Sequence, residues 1–229
     1  MKKFRLFGLL FIVLAWNIFS ADPPKGGNAP VAIVMKIIND VTCKKGSANW
    51  SPAKNGAALS TSDEVKTGDK SLALIKFTDN SIIRVRENSS LKIFADKNNG
   101  QLAKNTYIDK GKVGFNVSKQ ENEEFRFTTP TMVASIRGTE GYIGVGNDGN
   151  SLLVCTEGNI DIKATQGQKQ SGNVKAGKYA AIGSDGTITA GDITPQQQGE
   201  SNTMKKSNVK RLTIKTDAGE LIIEYLGDN

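Results

Sequence analysis

The 229-residue chain contains no histidine. That removes the commonest general base and the commonest metal ligand, so a Ser-His-Asp triad and a His-bearing zinc site are both excluded. The two cysteines, Cys43 and Cys155, stand far apart, without the CxxC spacing of zinc or redox motifs. Carboxylates remain. A glycosidase needs two of them at a defined separation, and Asp79, Glu87, Asp109, Glu140 and Glu157 are scattered with no spacing that pairs any two. Glu121, Glu123 and Glu124 crowd four positions, and an exposed acidic turn explains them as well as cation binding does. Gly144-Val145-Gly146-Asn147-Asp148-Gly149 matches G-x-G-x-x-G. That fingerprint needs a helix after it, whereas Ser151-Leu152-Leu153-Val154 reads as a strand, so a hairpin turn at Asn147–Asn150 is the better reading. Arg137 has the chemistry to receive an acidic group, or to pair with a nearby carboxylate or carbonyl. These residue types point away from catalysis, bound metal and cofactor. The expectation is a non-enzymatic protein.

The elements that must position these residues are strands. From Leu72 the period is two: Leu72, Leu74 and Lys76 alternate with Ala73, Ile75 and Phe77. Ile83 and Val85 alternate with Arg84 and Arg86, and Val113, Phe115 and Val117 share one face. Gln101–Asp109 and Lys112–Ser118 read as two strands separated by Lys110-Gly111. Gly46–Ser62 reads as loop, with Trp50 as a packing lid more than a ligand platform. The 24 glycines against 6 prolines fit many tight turns. Short strands at regular spacing predict an all-β fold, a Gly-rich many-stranded sandwich or a β-solenoid. Gln196–Asn208 is polar and reads as a linker. Val209–Lys215 and Glu220–Leu226 then form a terminal hairpin. Leu212, Ile214, Leu221, Ile223 and Tyr225 give it one apolar face, and a lone hairpin is marginal in water. It is expected to dock on the domain, or to add to a partner's sheet.

Within Phe125–Gly158, Thr129-Pro130 precedes Arg137-Gly138-Thr139, and a strand ending Thr156-Glu157-Gly158 follows. Upstream, Thr67-Gly68 opens an alternating strand, and Asp79 and Ser81 flank a tight turn. This order resembles the FecR-domain family, over roughly Val31 to Thr194. The family usually has Gly between the two turn residues, where this chain has Asn80, which also tolerates positive φ. The resemblance implies structural roles for Thr67, Gly68, Asp79, Ser81, Pro130, Arg137, Gly138, Thr139, Glu157 and Gly158 as motif turns. It also implies that Leu153 and Cys155 face inward. Cys43 follows Val41 with the same spacing. A Cys43–Cys155 disulfide would close a loop worth about 4–5 kcal/mol by the chain-entropy model. Buried free cysteines are common as well. Both outcomes stay open, with two buried thiols preferred.

In that family the domain is the extracytoplasmic part of a sigma-factor regulator and relays a signal from an outer-membrane transporter. The start of this chain reads differently. Lys2, Lys3 and Arg5 precede the apolar run Leu6–Ala15, and the small residues Ser20 and Ala21 follow. Residues 1–21 are thus expected to be a cleaved signal peptide leading directly into the domain, without a cytoplasmic anti-sigma segment. Removing residues 1–20 takes three positive charges from the net +7 and leaves +4, too weak a bias for nucleic acid binding. The expected organisation is a signal peptide (1–21), a linker (22–30), a FecR-like β domain (31–195), a polar linker (196–208) and a C-terminal hairpin (209–229). The expected function is an exported, periplasmic or cell-surface binding or scaffold module. Its partner would be another envelope protein, with the membrane touched only during export. A signalling component of a sigma-factor and transporter system is the alternative.

Overall fold

The computed structural model describes residues 29–98, 101–119, 124–205, 209–216 and 219–226. The proposed signal peptide and the acidic turn at Glu121–Glu123 lie outside them. The strands fall into two sheets, here called front and back. β1 (Ala32–Ile38) is in the front sheet, and β2 (Val41–Lys44) and β3 (Trp50–Pro52) form a hairpin in the back. β4 (Ala58–Leu59) is front and β5 (Glu64–Thr67) is back. β6 (Leu72–Phe77) and β7 (Ile82–Val85) are a front hairpin, and β8 (Ser90–Asn98) returns to the back. After the long β9 (Gln101–Val117), hairpins alternate between the sheets. β10 (Glu124–Thr128) and β11 (Met132–Ile136) are back; β12 (Thr139–Val145) and β13 (Ser151–Glu157) are front. β14 (Asn159–Ala164) and β15 (Ser171–Lys175) are back; β16 (Lys178–Ile182) and β17 (Ile188–Asp192) are front. The front order is β4-β1-β6-β7-β9-β12-β13-β16-β17 and the back order is β3-β2-β5-β8-β9-β10-β11-β14-β15. Both sheets are open at their ends. The fold is all-β, and of the two expected forms it is a sandwich, built by stacking hairpins on alternate sides.

β9 belongs to both sheets. Its first half pairs with β8 and, in parallel, with β10; its second half pairs with β7 and β12. The sequence reading split this stretch in two at Lys110-Gly111. The chain in fact continues through Gly111, whose φ of +90° lets one strand turn from sheet to sheet without ending. Ser89 locks the crossing: its Oγ accepts a hydrogen bond from the Lys112 amide at 2.9 Å. The Gly46–Ser62 loop also carries two short strands, β3 and β4. They are too brief for alternation to reveal.

Between the sheets, inward residues of the front (Ile75, Ile83, Phe115, Ile143, Leu153) meet those of the back (Val65, Ile93, Phe127, Ala134, Ile160) in one core. Phe77, Phe125, Phe127 and Phe115 form a chain of ring contacts across it, at 5.0, 5.2 and 5.2 Å. The region expected as a polar linker folds as a helix, α1 (Pro195–Lys205). Its apolar content is poor, but its start is strongly specified. Thr194 Oγ1 accepts from the Gln197 amide and Gln197 Oε1 accepts from the Thr194 amide, a capping box with Pro195 in the first helical position. The terminal hairpin forms as expected, from β18 (Val209–Thr216) and β19 (Gly219–Leu226) in a separate two-stranded sheet. Leu212 and Ile222 are about half exposed.

Candidate binding groove on the front sheet

The motif residues occupy four joints of the sandwich and do not converge on one site. Thr67 is buried, and its hydroxyl accepts from the Ser89 amide at 3.1 Å. Gly68 approaches Asp40 so closely that a Cβ there would sit 2.7 Å from Oδ2. Asp79 closes its turn by accepting from the Ser81 amide at 2.8 Å, and Asn80 takes φ +67°. The other Asp79 oxygen pairs with Lys104, whose side chain is fully buried. Ser81 Oγ accepts from the Ser118 amide at 3.1 Å, and the next residue, Lys119, lies against Gly138. One strand end therefore braces both the Asp79–Ser81 turn and the Arg137-Gly138-Thr139 turn. Gly158 packs on the latter: a Cβ there would meet Thr139 Cγ2 at 2.5 Å and the Gly138 carbonyl oxygen at 2.8 Å. Pro130 presents its carbonyl to Thr165 Oγ1 and the Gln166 amide group, at 2.9 and 2.8 Å. Beside it Thr129, Thr131 and Ser151 link buried hydroxyls at 2.7 and 2.8 Å. Arg137 and Glu157 are exposed at their turns, and Thr139 is buried. Gly138 holds φ +61°, with Lys119 Cβ 3.1 Å from the place of a Cβ. Gly138→Val is expected to cost about 1–3 kcal/mol. A thermal melt that overlays the parent would remove this reading.

Cys43 and Cys155 are both buried free thiols. Cys43 lies on β2 of the back sheet and Cys155 on β13 of the front, where its Sγ donates to the Glu157 carbonyl at 3.3 Å. Burial pushes both thiols up, Cys155 from 9.0 to about 11. A raised thiol pKa contributes stability that is full below pH 9.0 and is lost as pH rises through about 11. Urea midpoints measured across that window should fall, and Cys155→Ala should flatten the slope. An unchanged slope in the variant would assign the alkaline loss elsewhere.

The outer face of the front sheet carries a different arrangement. Lys112, Gly144, Leu152 and Ala181 are register partners across β9, β12, β13 and β16. They form the small-residue floor of a groove of about 1210 Å³. Arg86, Glu87 and Asn88 form one wall, the Gly146–Asn150 turn an end, and α1 the other wall through Gln196, Gly199, Glu200 and Thr203. The G-x-G-x-x-G stretch is thus the hairpin turn expected, and it rims this groove. The Asp148 carboxylate accepts from the Asn150 amide at 3.0 Å, and Gly149 takes φ +78°. Arg86 Nη1 is buried with no hydrogen-bond partner. Burial lowers the pKa of Arg86, with Glu87 opposing.

One row over, Arg84, Gly114, Tyr142, Val154 and Tyr179 cross the same sheet. α1 lies on this row, with Met204 against Gly114 and packed with Tyr142 and Val154. Lys112–Glu200 and Lys205–Glu140 ion pairs, at 2.9 and 3.2 Å, tie the helix to the sheet. Neither groove nor helix was foreseen. The T-P-Q-Q capping signal at Thr194 was the available clue to the helix; the groove depends on register between strands remote in sequence. Trp50, the other residue singled out, is exposed at 37% with Lys66 Nζ 4.1 Å from its ring centroid.

This sandwich, with its four turn joints, can be set against known proteins. Residues 63–161 match the model of the FecR protein family. This is a FecR domain. The match runs from the residue before β5 into β14 and takes in every motif turn named above. The cover helix α1 lies outside the FecR match. Two crystal structures of a candidate anti-sigma factor from Parabacteroides distasonis have a similar fold, with TM-scores of 0.51 and 0.52 at 10% identity. The likeness covers 67–68% of this chain and 68% of theirs. At that identity it speaks for the fold alone. No curated protein sequence matches the chain. Among the described residues, no helix is long and apolar enough to cross a membrane, and no cluster of three or more acidic or cysteine side chains is placed to hold a metal.

Proposed function

We propose that this chain is a non-enzymatic regulatory module of the cell envelope, whose FecR domain binds another envelope protein in signal transduction. The observation that carries the reading is the FecR match over residues 63–161. The motif residues brace turns and do not converge on a reactive centre, which fits a binding role. The front-sheet groove offers a surface of the size ligands and peptide segments use. Export through the leader at residues 1–21 belongs to the same proposal, with the mature protein periplasmic or at the cell surface. N-terminal sequencing of the native protein should start near Ala21 or Asp22.

The functional test is transcriptional. Deleting the gene should change transcription from the promoters of one extracytoplasmic sigma factor, and the exported chain should restore it. An unchanged sigma-factor transcript set alongside an envelope defect would favour a scaffold over a signalling component.

A further inference from the structure

The contact between α1 and the front sheet is built unlike the core. On the helix only Ser201 and Met204 are buried. Ser201 Oγ and, on the sheet beneath, Arg84 Nε are buried without hydrogen-bond partners. The cavity they line is about 10 Å³, at the lower limit for a single water. The Tyr142 hydroxyl lies beside the Glu200 carboxylate without good hydrogen-bond geometry, and burial together with that charge raises its pKa. An unpaired buried polar group weakens a contact by roughly 5–150-fold. Against this stand one methionine and two partly exposed ion pairs, each worth only about 2–5-fold and screened by salt. What the helix covers is valuable by contrast: Tyr142 and Val154 are completely buried beneath it, with Leu152 and Tyr179 alongside.

We propose that α1 is a displaceable cover on the front sheet, and that the face beneath receives a helix from a partner protein in its place. This rests on the binding-module reading above. The occupant is specified by what α1 already does there. It presents an acid to Lys112, a base to Glu140, and one apolar side chain over Gly114 between them. A partner helix with the same charges and a small apolar residue in place of Ser201 fits this face better than α1 does. Because β18 and β19 follow α1 in the chain, displacement would release the terminal hairpin with it.

Hydrogen exchange on the full chain tests the idea without knowledge of the partner. The α1 amides should exchange by local opening while β12 and β13 stay protected. Ser201→Ala should slow α1 exchange about tenfold, since it removes an unpaired buried group. Raising the ionic strength should speed it by about 2–5-fold for each ion pair screened. An excess of a synthetic 195–205 peptide carrying Gly199→Ala and Ser201→Ala should displace the resident helix and speed its exchange further. Exchange of α1 only by global unfolding, or exchange indifferent to the peptide, would overturn the proposal. Either failure would leave the transcriptional test of function intact.

Discussion

Asp79→Ala should cost about 3–5 kcal/mol, because it removes the partner of a buried ammonium. Lys104 is fully buried in its side chain, and Asp79 is nearly so. The pair joins the β6–β7 turn of the front sheet to β9 where that strand runs in the back sheet, so it fastens one sheet to the other. The Lys104 Nζ also lies 5.9 Å from the Phe125 ring centroid, inside the aromatic chain that crosses the core. The substitution also deletes the acceptor that closes the turn on the Ser81 amide. Asp79→Asn keeps an acceptor for that amide and isolates the charge. Combining it with Lys104→Met removes both charges and should recover part of the loss, since an apolar replacement of a buried pair is often close to neutral. Urea unfolding with an unchanged slope measures the difference. An Asp79→Ala midpoint within about 1 kcal/mol of the parent would show that the pair does not fasten the sheets.

The second large effect is expected at Gly111, where β9 changes sheets. A Cβ there would lie 2.2 Å from Ser89 Oγ and 2.6 Å from the Ser89 Cα, at a φ of +90°. The Cα belongs to the backbone and cannot rotate away. Gly111→Ala therefore combines backbone strain with overpacking, together about 2–5 kcal/mol. Relieving the clash would move Ser89 and break its bond to the Lys112 amide, which holds the crossing in register. Ser89→Gly in the same chain should restore part of the loss by opening space, although the strained φ remains. Thermal unfolding reads both variants. A Gly111→Ala melt matching the parent would mean that the crossing is carried by pairing alone.

Local patterns were legible where a single strand or turn decides them. The alternation at Leu72–Phe77 marked β6, and Asp79-Asn80-Ser81 marked the turn after it. Asn147–Asn150 was identifiable as a hairpin turn because the residues after it alternate as a strand. The order of Thr67-Gly68, Thr129-Pro130 and Arg137-Gly138-Thr139 carried the FecR resemblance. Gly111 was misread because a glycine between two alternating runs looks the same in sequence whether the chain stops or bends. Only pairing with β7 and β12 on one side, and with β8 and β10 on the other, distinguishes the two.

Composition and periodicity by themselves determined that this protein is all-β, rich in tight turns and without histidine chemistry. Those are properties of residue types and of neighbours along one chain. Tertiary structure decided that the chain forms two sheets sharing one strand, that Lys104 finds Asp79, and that Tyr142 lies under a helix. Each of these joins residues distant in sequence, and strand alternation states which face a residue takes but not which strand will lie beside it. The helix shows the same division. Its capping residues at Thr194 and Gln197 were written locally, while its weak hydrophobic face gave no sign of where it would dock. The place was set by the glycine at position 114, the methionine that fills the space above it, and two charges offered by strands far away in the sequence.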